Sequence, residues 1–397
     1  MTNQHGRRVG VAFVGMGGAV ATTAIAGIEM IKAGSNRMDG LPLANVPVPG
    51  MAGYKDLVFG GWDLNSDDLG AAAIGHGVLG KDLIEDAAPA LKGMKPWPAV
   101  GSAQFCKNID GANRIVAKGH REAVDIIGDD IARFRKESGV DEVVVVNLAS
   151  TERWLDASAA VLANAAAFEK GLDSSDAAIS PAMLYAYAAI KNGHPYANFT
   201  PSLAADVPAL MDLARQMNVP VAGKDGKTGQ TLIKTVLAPA LKSRALHVDG
   251  WFSTNILGNR DGLALDDPDS LKSKLKTKGS VLDSILGYPV EDHIVHIHYY
   301  RPRGDDKEAW DNIDVTGFLG QKMQIKVNFL CKDSILAAPL VVEIARVLDL
   351  AKKRGDGGVQ EQLSLFFKAP MVANGHGPEH AFHAQENMLL DWLGVKH

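Results

Sequence analysis

Hydrophobic residues follow two different patterns along this chain of 397 residues. In the first part, short continuous apolar runs at residues 8–14 and 143–146 alternate with segments of helical spacing such as 19–33. Continuous runs are typical of strands buried on both faces of a parallel sheet. After residue 247, apolar and polar residues alternate instead, as they do at 294–300. This alternation predicts strands with one solvated face, in a largely antiparallel sheet.

Helical spacing predicts the elements that connect these strands. Residues 35–55 contain three prolines and are expected to form a long irregular connection, and residues 355–359 a flexible link. Residues 335–353 have the spacing of a long helix, which Pro339 is expected to interrupt. The other predicted helices are residues 66–92, 122–136, 157–170 and 182–191, and one that follows residue 231.

A glycine-rich turn separates the first strand from the first helix. Strand, glycine turn and helix in this order are the context of dinucleotide binding, because the backbone can approach a pyrophosphate and the helix N-terminus donates hydrogen bonds. Val20 occupies the position of the third glycine of the usual motif, so the motif is incomplete. The predicted cofactor contacts are Gly15, Gly17, Gly18, Ala19 and Val20.

Polar residues follow two later strands of the predicted parallel sheet. Asp63 comes after a strand that begins at Leu57, where an acidic residue holds the adenosine ribose of a dinucleotide. Its alternative role is to cap the helix that follows. Asn147, Ser150 and Thr151 come after the apolar run that ends at residue 146, and such positions line the ligand crevice. We therefore predict that all four residues contact the cofactor.

Residues 222–231, with the sequence AGKDGKTGQT, resemble a phosphate-binding loop. Glycines, a lysine and hydroxyl groups precede a predicted helix N-terminus, which is an arrangement that binds anions. The loop lacks the first glycine of a Walker A motif, and a simple capped turn is the alternative. The predicted phosphate contacts are Lys227, Thr228, Gly229, Gln230 and Thr231.

Four lysines stand close together at residues 272–278, with no acidic residue before Asp283. Their ammonium groups repel one another unless water or an anion compensates their charge. The segment is therefore either a solvated basic loop or part of a site for a phosphorylated substrate. In the second case, we expect it to be mobile without ligand and ordered by phosphate.

Composition and charge restrict the function classes. With 41 Lys+Arg against 46 Asp+Glu, the net charge is -5, which argues against a general binder of nucleic acid or of membrane surfaces. No apolar run is long enough to span a bilayer. Cys106 and Cys331 fit no metal or redox pattern, so a reducing cytoplasm is expected. His376 and His380 have zincin-like spacing, but Pro378 lies between them and no glutamate follows His376, which argues against zinc.

Nine motifs are spread over most of the chain. They are VFGGWD at 58–63, NLASTE at 147–152, MLYAYAA at 183–189, PYANFTPS at 195–202, AGKDGKTGQT at 222–231, NILGNRDG at 255–262, SKLKTKGSVL at 273–282, DSILAAP at 333–339 and FFKAP at 366–370. Together with the features above, they resemble the myo-inositol-1-phosphate synthase family in its shorter archaeal and bacterial form. The turn GMGGAVATT at residues 15–23 departs from the Gly-Asn-rich turn of eukaryotic members.

The resemblance implies an α/β fold with three parts. Residues 1–244 would form a Rossmann-like NAD-binding domain, and residues 245–332 an inserted α+β catalytic and tetramerisation domain on a mostly antiparallel sheet. Residues 333–397 would return to the NAD-binding domain. The family is expected to be a cytoplasmic homotetramer, and the open face of the inserted sheet is where a partner subunit would pack.

The resemblance also implies a redox-neutral isomerase that converts D-glucose 6-phosphate to 1D-myo-inositol 3-phosphate. The implied steps are NAD-dependent oxidation at C5, enolisation, intramolecular aldol cyclisation and re-reduction. Of the family's catalytic lysines, Lys274 and Lys368 would act around the C5 oxygen, and Lys278 and Lys307 at the C1 oxygen and the phosphate. Preorganised cations of this kind stabilise developing oxyanions.

Three aspartates also match family positions. Asp305 would lie near the nicotinamide, Asp333 beside the lysines, and Asp261 would bind a divalent metal ion, which is a hypothesis that rests on one residue. The alternatives are a related NAD-dependent sugar-phosphate cyclase or dehydrogenase with another substrate, and a non-catalytic NAD-binding regulator. The presence of all four lysines argues against the regulator.

Overall fold

A seven-stranded parallel sheet lies at the centre of the structure, a computed structural model that describes residues 7–259, 262, 281–373 and 375–395. The strands pair in the order β11-β6-β5-β4-β1-β2-β3, so the direction of winding reverses between β1 and β4, where such sheets bind dinucleotides. This arrangement confirms the predicted Rossmann-like fold. The strands, numbered along the chain, are β1 (Val9–Val14), β2 (Leu57–Asp63), β3 (Trp97–Pro98), β4 (Glu142–Asn147), β5 (Tyr196–Asn198), β6 (Pro220–Gly223) and β11 (Gly358–Val359).

Helices cover both faces of this sheet. In β4, Val143 and Val145 belong to one hydrophobic core, and Val144 and Val146 belong to the core on the opposite face. Burial on both faces is the reason why this strand has no polar position between Glu142 and Asn147. The helices are α1 (Ala19–Lys32), α2 (Leu69–His76), α3 (Lys81–Leu91), α4 (His120–Ser138), α5 (Ala165–Ser174), α6 (Pro181–Lys191), α7 (Pro208–Gln216), α8 (Gln230–Ser243), α9 (Val281–Leu286), α10 (Asp333–Arg354) and α11 (Phe382–Leu393).

A second sheet of four strands follows α8. Its pairing order is β10-β9-β7-β8, and the β7–β9 and β9–β10 pairs are antiparallel, whereas β7 and β8 are parallel. The sheet is therefore mixed, with two of its three pairings as predicted. One face packs on α8 and α9 around Trp251 and Ile313. Its strands are β7 (His247–Leu257), β8 (Asp292–Tyr299), β9 (Asp306–Thr316) and β10 (Lys322–Lys332).

Several predicted elements differ from those in the structure. The helix expected at 66–92 is two helices, α2 and α3, because Gly77 ends the first one with a left-handed backbone (φ 63°). The helix expected at 157–170 begins later, after Asn164, whose side chain accepts from the N–H of Ala167. The supposed link at 355–359 contains β11, which pairs with β6, and β5 was not predicted at all.

Pro339 was expected to interrupt its helix, but it does not. It lies in the second turn of α10, a helix of 22 residues that runs without a break from Asp333 to Arg354. Burial along almost the whole helix, from Ala337 to Ala351, offsets the loss of one hydrogen bond.

Three of the predicted site residues lie outside the described residues. They are Asp261 and, in the lysine-rich segment, Lys274 and Lys278. The predicted ordering of that segment by phosphate also falls outside the described residues. Within the described ranges, no helix has the length and apolar character that crossing a membrane requires.

Candidate functional site

The glycine turn after β1 is shaped by Asp63 at the end of β2. The N–H of Gly17 donates to Asp63 Oδ2 at 2.9 Å, and a side chain at Gly17 would place its Cβ 3.2 Å from that carboxylate. Gly15 has φ +88°, which only glycine adopts readily. Helix α1 then begins without a side-chain cap, which leaves backbone N–H groups at its N-terminus for an anion. The turn therefore fits a dinucleotide pyrophosphate.

Asp63 does not cap the helix that follows it, so that alternative is wrong. Asp68 accepts from the N–H of Ala71 and is the N-cap of α2. The second oxygen of Asp63 accepts from the N–H of Asn65 at 2.9 Å. Asp63 thus holds the glycine turn and lies where a ribose would be bound.

The polar residues after β4 are placed at different depths. Asn147 is buried, and its amide donates to Asn198 Oδ1 at 3.1 Å and accepts from the N–H of Ala149 at 3.2 Å. Thr151 is also buried, at 1% exposure, whereas Ser150 is partly exposed. The structure brings all three to the carboxyl edge of the sheet, with Ser150 nearest to solvent.

The glycine-rich loop after β6 is held against the segment that contains Lys368. The N–H of Lys224 donates to the carbonyl of Ala369 at 2.9 Å, and the N–H of Lys227 donates to the carbonyl of Phe366 at 2.8 Å. A Cβ at Gly226 would lie 2.0 Å from the ring of Phe199, so the loop can approach only through a glycine. Two motifs far apart in the sequence therefore form one structural unit.

Two nearly buried lysine–aspartate pairs lie at this loop. Lys368 Nζ donates to Asp225 Oδ1 at 2.8 Å. Lys307 Nζ contacts Asp333 Oδ1 at 3.3 Å, and the hydroxyl of Thr228 donates to the same oxygen at 2.9 Å. The loop thus supplies Asp225 to one pair and Thr228 to the other. The carboxylate partner holds each ammonium group in one orientation.

Asp305 is engaged by the start of α10. Its carboxylate accepts from the N–H of Ser334 at 3.0 Å, from the hydroxyl of Ser334 at 2.7 Å and from the amide of Asn259 at 3.2 Å. Burial raises the pKa of Asp305, and these hydrogen bonds act in the opposite direction. Asp305 therefore positions the helix that presents Asp333.

The side chain of Lys227 points into the C-terminal helix α11. Its Nζ donates to Gln385 Oε1 and lies 5.5 Å from the centre of the Phe382 ring. Burial lowers the pKa of Lys227 to about 7. The pKa of the neighbouring His380 is lowered to about 4 by burial and by the charge of Lys227. The other predicted phosphate residues lie at the start of α8. Gly229 is the N-cap of this helix and supplies no side-chain hydrogen bond to it.

Sequence reasoning did not identify Asp225 or Gln385 as site residues. Asp225 lies inside the quoted loop motif, where its position beside a lysine was the available signal. Gln385 belongs to no motif, and its contact with Lys227 joins residues 158 positions apart. A pocket of about 460 Å³ opens beside Lys368 and is also lined by Arg153, Lys224 and His380.

The burial of Lys227 predicts a pH-dependent stability. Its pKa of about 7 in the folded protein is below the ordinary value of 10.5, so between these values only the unfolded chain binds this proton. Its contribution to the free energy of unfolding therefore rises with pH over this window. Between pH 7 and 9, denaturant unfolding should show wild type gaining about 2 kcal/mol relative to Lys227→Met.

The matched control is Lys191→Met, because Lys191 pairs with Glu169 on the surface and is half exposed. This variant should keep the pH slope of the wild type. Equal slopes for wild type and Lys227→Met would contradict the burial of Lys227 in the folded protein.

Known proteins are similar to this one over most of its chain. The family model described as myo-inositol-1-phosphate synthase, an NAD-binding family, matches residues 41–394. Inositol-3-phosphate synthase 1 of Bacteroides thetaiotaomicron is 42% identical over 97% of this chain and 95% of its own length. Inositol-3-phosphate synthase isozyme 1 of Arabidopsis thaliana is 33% identical over 85% of this chain and 70% of its own.

Solved structures agree with the sequence relatives. The inositol-3-phosphate synthase of Caenorhabditis elegans superposes with a TM-score of 0.91 at 28% identity, covering 98% of this chain and 85% of that one. A myo-inositol-1-phosphate synthase-related protein of Thermotoga maritima has a TM-score of 0.79 at 25% identity, with coverage of 98% and 99%. The chain belongs to the myo-inositol-1-phosphate synthase family of NAD-binding proteins.

Proposed function

We propose that this protein converts D-glucose 6-phosphate to 1D-myo-inositol 3-phosphate with bound NAD and no net redox change. The observation that carries the proposal is the pair of buried lysine–aspartate contacts, Lys368–Asp225 and Lys307–Asp333, joined through one glycine-rich loop. The loop lies at the carboxyl edge of the sheet whose first turn fits a dinucleotide. Cofactor, phosphate and cationic groups therefore meet at one edge.

The reaction needs charge stabilisation at two substrate oxygens. When bound, NAD supplies a reversible oxidation of one substrate carbon, so that substrate and product remain isomers. Lys368, oriented by Asp225, is proposed to move a proton and stabilise negative charge at the C5 oxygen. Lys307, oriented by Asp333, is proposed to stabilise negative charge at the C1 oxygen during ring closure. Lys274 and Lys278 are proposed to assist them.

The phosphate of the substrate is proposed to bind at the start of α8. Gly229, Gln230 and Thr231 offer backbone N–H groups there, and the helix dipole favours an anion. The hydroxyl of Thr228 is already directed at Asp333, so the same loop would bind the phosphate and orient the second lysine pair. Holding the phosphate fixes the distance from the sugar carbons to both lysines.

The test is to incubate the purified protein with glucose 6-phosphate and NAD+, and to measure inositol phosphate and NADH. The proposal expects inositol phosphate without accumulation of NADH. A dehydrogenase would accumulate NADH in proportion to product, and a regulator would bind NAD and form neither. Either of these results would contradict the proposed function.

A divalent metal ion is a separate hypothesis, resting on Asp261. Among the residues whose structure is described, no three His, Cys, Asp or Glu side chains are grouped as metal ligands. We therefore assign no step to a metal. Full activity after exhaustive chelation would contradict the hypothesis, whereas activity restored by Mg²⁺ alone would support it.

We further infer a homotetramer in the cytoplasm, in which the open face of the second sheet packs on another subunit. Phe252 contacts Trp310 and His296 on this face, at ring-centre distances of 5.9 and 5.5 Å, and Ile294 beside them is 41% exposed. An apolar, aromatic sheet face of this kind is usually covered.

Light scattering should therefore show a tetramer that Ile294→Asp weakens. The control is Val116→Asp, since Val116 is 91% exposed and lies outside this sheet. A monomeric wild-type protein, or equal effects of the two variants, would contradict this interface.

A further inference from the structure

A chain of buried polar side chains runs from the second sheet to the phosphate loop. Asp311 on β9 is fully buried, and its Oδ1 accepts from the indole N–H of Trp251 at 2.8 Å and from the hydroxyl of Ser253 at 2.5 Å. The amide of Gln230, the first residue of α8, lies 3.3 Å from the same oxygen. Gln230 in turn lies 2.7 Å from the amide of Asn255 on β7.

The chemistry of Asp311 fixes which atom donates in each of these contacts. Oδ1 of Asp311 accepts from the indole N–H of Trp251, which can only donate, so Gln230 must direct its NH2 group at the same oxygen. The carbonyl oxygen of Gln230 then faces Asn255, which must donate through its own NH2 group. The orientation of both amides, which are otherwise free to reverse, therefore follows from the acceptor oxygen of Asp311.

A buried cation lies near this chain of side chains. Lys234, on α8, is 3% exposed, and its Nζ lies 2.7 Å from His293 Nε2 and 5.8 Å from the centre of the Trp251 ring. Burial lowers the pKa of Lys234 to about 8, while the charge of Asp311 acts in the opposite direction. Lys234 is therefore mostly protonated at neutral pH and places a positive charge beside this network.

The carbonyl oxygen of Asn255 is the free end of this chain. Like Asp311 Oδ2, it is buried and has no hydrogen-bond partner among the described residues. Asn255 pairs with Ala309, two residues from Lys307 on the same face of β9, and its other neighbour Gln230 follows the phosphate loop. A buried acceptor without a donor is costly, so this oxygen is suited to a donor that arrives with the ligand.

We propose that Asp311 is a positioning residue for the proposed reaction. It orients Gln230 and Asn255 so that Asn255 offers a carbonyl oxygen, and not an NH2 group, to a hydroxyl group of the sugar phosphate. The inference rests on the proposed function for its substrate. The orientation of the amides rests on hydrogen-bond chemistry alone.

The test is a double-mutant cycle of Asp311→Leu and Asn255→Ala, read as kcat/KM for glucose 6-phosphate. Leucine is close to aspartate in shape but has no acceptor oxygen, so it no longer holds the NH2 group of Gln230. We expect each single variant to lose about 10- to 100-fold in kcat/KM. Because both act through the same oxygen, the double variant should lose no more than Asn255→Ala alone.

The matched control is Asp314→Asn. Asp314 lies on the same strand and accepts from the amides of Asn312 and Gln324, both at 2.9 Å, but it faces the other side of the sheet. We expect this variant to keep kcat/KM within about twofold of the wild type. Multiplicative losses for Asp311→Leu and Asn255→Ala would overturn the proposal, since independent structural damage adds in free energy.

If Asp311→Leu does not fold, Gln230→Met takes its place in the cycle. It breaks the chain at its centre without changing the backbone donors of the loop, and the same non-additivity with Asn255→Ala is expected. Wild-type turnover in the same assay separates the two proposals. A wild type without turnover contradicts the proposed function. The orientation of the amides is then tested by the same cycle, measured as free energies of unfolding. Additive losses of stability in that cycle would overturn the orientation.

Discussion

Replacing Lys368 by alanine should lower kcat for inositol phosphate formation by about 10²- to 10³-fold, while NAD still binds. Lys368 is 7% exposed, and its ammonium group lies 2.8 Å from Asp225 at the edge of the cofactor sheet. A preorganised cation at a developing oxyanion contributes mainly to the transition state, so kcat should change more than KM. Steady-state kinetics and NAD titration measure the two effects separately.

The surface lysine Lys191 supplies the control. It also pairs with a carboxylate, that of Glu169 at 2.9 Å, and Lys191→Ala should keep full turnover. Lys368→Ala also leaves Asp225 buried without its cation, which lowers stability. The double variant Lys368→Met/Asp225→Asn should therefore recover thermal stability without recovering turnover. Full turnover by Lys368→Ala, or recovery of turnover in the double variant, would refute the assigned role.

Replacing Asp333 by asparagine should lower kcat by about 10²-fold. One oxygen of Asp333 contacts both Lys307 and Thr228, so the carboxylate fixes the position of Lys307 relative to the phosphate loop. Asparagine keeps the size of the side chain but removes the charge that orients Lys307. The loss should therefore appear in kcat, whereas the thermal unfolding midpoint should change little.

The control is Asp306→Asn, because Asp306 is next to Lys307 in sequence but is half exposed and pairs with Lys332 at 3.2 Å. Exposed pairs of this kind contribute little, so this variant should retain turnover. Equal losses for Asp333→Asn and Asp306→Asn would show that local charge, and not the contact with Lys307, is responsible.

Much of the fold could be predicted from local patterns. The run at residues 143–146 predicted a strand buried on both faces, and the structure places its side chains in two cores. The three-residue strand β5 and the two-residue β11 were missed, because so few residues carry no periodic pattern. The parallel pairing of β7 with β8 was also missed, since alternation describes one strand and not its neighbour.

The residues of the site were identified by resemblance more than by pattern. Lys307, Lys368 and Asp333 lie together at one edge, as the motifs implied, although their roles stay predictions. Asp225 and Asn255 lie inside quoted motifs but were not singled out, and nothing local distinguishes Gln385 or Asp311. Their importance comes from contacts with residues distant in the chain, such as Asp225 with Lys368, which are 143 positions apart.

By itself, the sequence of this protein determined which strands are buried, where the cofactor turn lies and to which family the chain belongs. Those properties follow from residue types at short spacing, because burial and turn geometry act on neighbours along the chain. Only the tertiary structure decided that one glycine-rich loop supplies Asp225 to Lys368 and Thr228 to Asp333. Pairing of buried charges depends on which elements pack together, and local spacing does not encode that packing.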